Sequence, residues 1–142
     1  MKPETTQMKS GFFSIALCAG LAVAVPTVGD AFSSRLGARV NPVNAAVFEV
    51  VPKSGSGQEI WCGAADYAQR ELRAPWQARV YVARGRGQSE TTGRRTAVQF
   101  TLDPNAAGVT PGPSSLSLNT FAVGDSMSVR QAYDLCQRMV PF

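Results

Sequence analysis

Residues 46–72, AVFEVVPKSGSGQEIWCGAADYAQREL, contain both of the hydrophobic periods from which folds are built. The first part has an apolar side chain at every second position, which predicts a strand over residues 44–51: Ala46, Phe48 and Val50. Pro52 stops that strand, and the Ser-Gly pairs that follow predict a flexible turn. The second part has apolar side chains three or four residues apart, as an amphipathic helix does: Trp61, Ala65, Ala68 and Leu72. A strand followed at once by a helix indicates an α+β domain.

Three stretches downstream predict further strands. Residues 77–84 and 96–102 alternate in the same way and follow one another along the chain, so we expect them to pair as an antiparallel hairpin. The connection between them is longer than the two to five residues usual in hairpins. Residues 116–123 predict a weaker fourth strand.

A second helix is predicted near the C-terminus. Ser128 and Gln131 have the spacing of a capping box, so the helix begins after Ser128. We therefore expect an α+β domain over residues 43–142, preceded by a linker over residues 32–42. Its architecture would be a small antiparallel sheet of three to four strands with two helices packed on one face.

The N-terminus has the pattern of a secretory signal peptide over residues 1–31. Residues 12–25 form an uninterrupted uncharged run, and Lys9 stands just before it. Small residues at Gly29 and Ala31 predict cleavage after Ala31. Cleavage removes two of the 14 Lys and Arg residues and two of the 10 Asp and Glu residues, so the net charge stays at +4. The sequence therefore predicts a periplasmic or secreted protein.

Other interpretations of the N-terminus remain open. Cleavage after Ala24 is a second choice, and Met8 is an alternative start to Met1. An uncleaved membrane anchor is a further alternative, although a spanning helix needs roughly 20 apolar residues and Pro26 interrupts the run earlier. After cleavage the mature chain would have no membrane span.

The cysteines predict one disulfide. Cys18 leaves with the signal peptide, which keeps Cys62 and Cys136 as an even pair in an oxidising compartment. A reactive thiol is the alternative, but the chain has no His to lower a cysteine pKa. A Cys62–Cys136 bond would close a loop of about 75 residues, worth roughly 4 kcal/mol in the chain-entropy model. We expect it to tie the first helix to the last.

The composition excludes several classes of enzyme. The 142 residues include no His, so Ser-His-Asp and Cys-His mechanisms cannot be built within the chain. The absence of His and the presence of only three Cys also argue against a zinc site, and we expect no metal. No P-loop, G-x-S-x-G or complete G-x-G-x-x-G motif occurs, so we expect no cofactor.

The most unusual segment is the predicted hairpin connection. It carries four arginines and Glu90, a net charge of +3: Arg84, Arg86, Arg94 and Arg95. Arginine clusters hold phosphate and carboxylate groups, so these four are candidate anion-binding residues. The plainer interpretation is a solvated loop. Nucleic acid is disfavoured as a partner because no aromatic residues interleave with the arginines.

Glu59, Asp66 and Glu71 are the acidic residues on the face of the first predicted helix that we expect to be solvated, and Asp66 and Glu71 are five residues apart. A glycosidase-like mechanism would need two carboxylates to converge in a cleft. We expect solvated helix charges instead, and keep a small carboxylate-dependent hydrolase as the alternative function.

Several stretches of the mature chain resemble a family of small uncharacterised exported proteins from alphaproteobacteria. The resemblance is carried by Trp61-Cys-Gly-Ala-Ala-Asp-Tyr67, Ser89-Glu-Thr-Thr-Gly-Arg94 and Tyr133-Asp-Leu-Cys136. It implies an exported, bacterial, single-domain protein, and it implies no activity, ligand or catalytic residue. Because the chain has no His and carries an arginine-rich connection, we favour a non-enzymatic domain. We expect it to bind an anionic envelope component or a protein partner.

Overall fold

A computed structural model describes residues 31–113 and 117–137 of the chain. The predicted signal peptide, with Cys18, lies outside these residues except for Ala31. The elements in chain order are β1 (Phe32–Ser33), β2 (Arg39–Pro42), β3 (Phe48–Val51), α1 (Gly57–Arg70), β4 (Arg79–Gly87), β5 (Ala97–Thr101), α2 (Pro104–Ala107), β6 (Ser126–Ser128) and α3 (Val129–Asp134).

In the described part of the chain, six strands form one sheet in the order β1-β2-β3-β5-β4-β6, and every neighbouring pair is antiparallel. The predicted α+β class and antiparallel sheet are confirmed, but the predicted count of three to four strands is wrong. The expected linker over residues 32–42 contributes β1 and β2, and residues 117–123 contain no strand. Residues 32–42 show no clear hydrophobic period, and pairing with neighbouring strands defines β1 and β2 instead.

The core lies between one face of the sheet and α1. Paired positions put Val50 opposite Val98, and Phe48 opposite Phe100, with all four side chains buried. Trp61 packs against Phe100 from the helix, as its apolar spacing predicts. Small residues let α1 approach closely: a Cβ added at Gly63 would lie 2.9 Å from Val50 Cγ1.

Serine side chains cap the N-termini of α1 and α3. Ser56 caps α1 by accepting a hydrogen bond from the Glu59 N–H. The predicted capping box of Ser128 and Gln131 begins α3. α3 ends at Asp134, so Cys136 lies in the turn that follows the helix rather than on its apolar stripe.

The Cys62–Cys136 disulfide is present, with the two Cα atoms 5.0 Å apart. Cys62 belongs to the buried side of α1, so the bond ties this helix to the C-terminal turn, beside α3. Three helices occur in the described residues rather than two, because α2 is a single turn capped by Asp103. Within residues 31–113 and 117–137, no helix has the length and hydropathy needed to cross a bilayer.

The opposite face of the sheet is polar. Side chains alternate between faces along a strand, so Glu49 and Gln99 point away from α1. The connection between β4 and β5, residues 88–96, folds back over this face. It brings Ser89 and Thr91 onto the Glu49 carboxylate. This connection carries Arg94 and Arg95, two of the four arginines singled out from the sequence, whereas Arg84 and Arg86 lie in β4 rather than in the connection.

Candidate functional site

The 88–96 connection is held in place by one buried carboxylate. Glu49 has no exposed surface and accepts hydrogen bonds from five donors. They are Ser89 Oγ at 2.5 Å, Glu90 N at 2.9 Å, Thr91 N at 3.2 Å, Thr91 Oγ1 at 2.6 Å and Gln99 Nε2 at 3.2 Å. A carboxylate surrounded in this way remains ionised inside a protein.

Burial and hydrogen bonding have opposite effects on the pKa of Glu49. Burial disfavours the charged form, but the hydrogen bonds from Ser89, Thr91, the Glu90 N–H and Gln99 outweigh burial and lower the Glu49 pKa from 4.5 to about 2. The carboxylate is therefore an internal structural anion at neutral pH, and its charge is already satisfied.

The guanidinium of Arg84 lies beside the Glu49 carboxylate and does not point freely into solvent. Its guanidinium Nη2 lies 3.9 Å from Glu49 Oε2, its Nη1 lies 3.4 Å from Glu90 Oε1, and only 32% of the side chain is exposed. Register shifts in β4 on both sides of Arg84 accompany this inward position. Arg84, a candidate anion-binding residue on its sequence, is thus committed to two carboxylates of its own chain.

A second buried carboxylate holds the turn between β3 and α1. Glu59 accepts hydrogen bonds from the backbone N–H groups of Lys53 at 2.5 Å, Ser54 at 2.8 Å and Gly55 at 3.1 Å. The Ser54 hydroxyl donates a further bond. Burial raises the Glu59 pKa, but the bonds from Ser54, Lys53 and Gly55 outweigh burial and lower it below its ordinary value.

Between these two segments lies a surface depression that we call the basic groove. It consists of two adjoining hollows of about 650 Å³ and about 450 Å³. The first is lined by Ser33, Gly37, Arg39, Val51, Pro52, Lys53, Thr92, Gly93 and Arg94. The second is lined by Pro52, Lys53, Ser54, Gly55, Arg86, Gly93, Arg94, Arg95 and Thr96. No Asp or Glu among the described residues lines either hollow.

All five cations in the basic groove are exposed: Arg39, Lys53, Arg86, Arg94 and Arg95. Within the described ranges, no carboxylate lies within ion-pair distance of any of them. Arg86 has two further contacts, because its guanidinium donates to the Gly55 carbonyl at 3.0 Å and lies over the Phe121 ring at 4.9 Å. It is both a groove cation and part of the packing.

The structure brings together three of the four arginines singled out from the sequence and adds two cations that the sequence did not single out. Arg39 falls in the segment expected to be a linker, and Lys53 falls in a turn expected to be flexible. The groove joins them to Arg94 because β2, β3 and β5 are neighbours in the sheet. No local signal in the sequence marks that neighbourhood.

The acidic residues of the first predicted helix differ from one another in burial. The expectation that Glu59 and Asp66 are solvated charges is wrong, because both are buried and Asp66 is fully so. It accepts the Arg35 backbone N–H at 2.9 Å and pairs with Arg70 Nε at 2.9 Å, which ties α1 to the N-terminal strands. Glu71 is exposed.

Two carboxyl groups have displaced pKa values, and in both Glu49 and Glu59 the pKa is lowered. A general acid, in contrast, needs a raised pKa. In the described residues, no three Cys, Asp or Glu side chains gather as a metal site requires.

The chain matches no protein-family model, and no similar curated protein or solved structure was found. Its function is therefore argued from the residues and charges of the groove.

Proposed function

We propose that the protein is an exported, non-catalytic domain that binds an anionic component of the bacterial envelope in the basic groove. The observation that carries this proposal is the charge of the groove. Five cations line the two hollows, and no Asp or Glu of the described residues lines them. Cations gathered in a recess attract anions because the recess walls focus their field.

The groove contains more positive charge than the net charge of the whole chain. Its five cations exceed the net charge of +4 of the whole chain, so the remainder is close to neutral. Two buried carboxylates hold the segments that carry these cations: Glu49 accepts hydrogen bonds from the Glu90 and Thr91 N–H groups, and Glu59 accepts them from the Ser54 and Gly55 N–H groups of the groove wall. They position the cationic segments without lining the hollows.

Export is supported by the sequence and the disulfide. The uncharged run over residues 12–25 with Lys9 before it has the pattern of a secretory signal. Disulfides persist in oxidising compartments such as the periplasm. Cleavage after Ala31 would leave Phe32, the first residue of β1, as the mature N-terminus, so all six described strands would be retained.

The test is retention on an anionic matrix. The full chain is expressed with its N-terminal segment and recovered from the periplasmic fraction, where its recovery also tests export. We expect the double variant Arg94→Ala/Arg95→Ala to leave heparin at clearly lower salt than the unmodified protein. The melting temperature should be unchanged, because neither side chain has a carboxylate partner in the described structure.

The matched control removes two exposed arginines elsewhere, Arg73→Ala/Arg130→Ala, for the same loss of charge. It should elute close to the unmodified protein. If both double variants eluted at equally lowered salt, heparin retention would depend only on net charge. That result would contradict binding in the groove.

A further inference from the structure

We propose that the groove binds a linear polyanion without nucleobases, a chain bearing repeated phosphate or carboxylate groups, and that one ligand chain occupies both hollows at once. This inference rests on the proposed function and narrows it to one class of ligand. Phosphate and carboxylate chains share the chemistry that the groove can recognise, because arginine pairs with either group.

The first argument is the span of the cations across the sheet. Arg39 lies in β2, opposite Val51 of β3, and Lys53 follows two residues beyond that position. The pairing of Val50 with Val98 places Arg95, just before β5, across from Lys53. Adjacent strands are about 4.8 Å apart, so the backbone positions of Arg39 and Arg95 are separated by two spacings across the sheet, about 10 Å, and by a further two residues along the strands.

The second argument is how the cations are shared between the hollows. Arg39 lines only the first hollow, and Arg95 lines only the second. Lys53 and Arg94 line both, so the cations form a continuous row rather than two isolated clusters. A small anion held in one hollow would contact only one end of this row. A chain with repeated charges can contact the whole row and release the counterions held there.

The third argument is the chemistry of the walls. They consist of Gly, Ser, Thr and Pro backbone and short side chains, with Val51 as the only other apolar residue in the described lining. No described aromatic residue lines either hollow, so the groove lacks the stacking platforms with which proteins bind single-stranded nucleic acid. The recess also suits an extended chain better than a flat membrane surface.

The test is a length series measured by calorimetry on the full chain recovered from the periplasm. Orthophosphate, tripolyphosphate and long-chain polyphosphate form one arm. Galacturonate and its oligomers of increasing length form the other arm, which separates phosphate from carboxylate sources. Occupation of both hollows should raise the affinity by about a hundredfold from the monomer to the long chain in at least one arm.

Two single variants test the ends of the row. Arg39→Ala and Arg95→Ala should each weaken long-chain binding about fivefold, and Arg130→Ala, which removes an exposed charge outside the groove, should change it less than twofold. If only one of these two variants bound the long chain more weakly, the ligand would occupy a single hollow and the inference would be overturned.

The remaining outcomes separate this inference from the proposed function. Equal affinity for the monomer and the long chain would overturn the inference that the ligand is a polyanion. The proposed function, an anion-binding groove, would still stand. Binding to phosphatidylglycerol vesicles without polyphosphate or oligogalacturonate binding would overturn it in favour of a membrane surface. Tighter binding of an oligonucleotide than of polyphosphate of equal charge would overturn it in favour of nucleic acid. No binding in any arm, with no difference between variants on heparin, would overturn both proposals.

Discussion

At the scale of single residues, Glu49 determines how the face of the sheet opposite α1 is organised. A buried carboxylate costs several kcal/mol unless donors surround it. Five hydrogen bonds from Ser89, Glu90, Thr91 and Gln99 supply those donors, and three of the four residues belong to the 88–96 connection. The connection is therefore held onto the sheet by a charge that β3 contributes from beneath it.

We expect this charge to make the protein sensitive to acid. The folded-state pKa of Glu49, about 2, is below its ordinary value of 4.5, so its contribution to stability is complete above pH 4.5 and is lost as the pH falls towards 2. Glu49→Gln should lower the free energy of unfolding at pH 7 by about 2–3 kcal/mol, because charge-assisted bonds are lost. It should also flatten the loss of stability between pH 4.5 and 2. Urea unfolding across that range measures both effects.

Glu90→Gln is the matched control, since Glu90 lies in the same connection and its side chain only reaches Arg84, at 3.4 Å, on the surface. It should change stability by less than about 0.5 kcal/mol. Glu59, whose pKa is also lowered, should keep part of the acid dependence in both variants. A Glu49→Gln protein as stable as Glu90→Gln would contradict the role of the buried charge.

At the scale of elements, the longer pieces could be predicted and the short ones could not. The apolar periods predict α1, β3, β4 and β5, and the capping box predicts the start of α3. β1 and β6 have two and three residues, which leaves no period to read. The register shifts in β4 could not be predicted from the sequence either, because they arise in the pairing of β4 with β5 across the sheet.

The N-terminus of α1 depends on a close approach that only glycine permits. A Cβ added at Gly57 would lie 2.1 Å from the Leu118 carbonyl oxygen and 2.6 Å from Asn119 Oδ1. Gly57→Ala should therefore lower the free energy of unfolding by about 2 kcal/mol, since overlap with backbone outweighs the higher helix propensity of alanine. Thermal unfolding measures the loss.

Gly93→Ala provides the comparison for this glycine, because a Cβ there meets nothing within 4 Å. It should leave the melting temperature within one or two degrees of the parent, or raise it slightly by restricting the unfolded chain. If Gly57→Ala were equally harmless, the segment around Leu118 would not pack against α1 as the structure has it.

At the scale of the whole molecule, the disulfide ties together parts of the chain that are distant in sequence. Cys62 and Cys136 are 74 residues apart, and the strands β4, β5 and β6 all lie between them. Reduction should lower the free energy of unfolding by about 4 kcal/mol, because the unfolded chain regains the freedom of that loop. Urea unfolding with and without dithiothreitol measures this difference.

The double variant Cys62→Ser/Cys136→Ser should unfold at the same urea concentration with or without reductant. Heparin retention of the folded variant should match that of the parent, because the bond lies among the helices while the groove lies on the opposite face of the sheet. A parent protein indifferent to reductant would contradict the stabilising role of the bond.

The sequence by itself determined the α+β class, the main helix and strands, the capping box of α3 and the single pairing left to Cys62 and Cys136. Each of these follows from short-range spacing or from simple counting. Only the tertiary structure decided that Arg39 and Lys53 join Arg94 and Arg95 in one groove, and that Arg84 turns inward. Strand order and loop path bring these residues together, and both depend on long-range pairing and burial that no local pattern records.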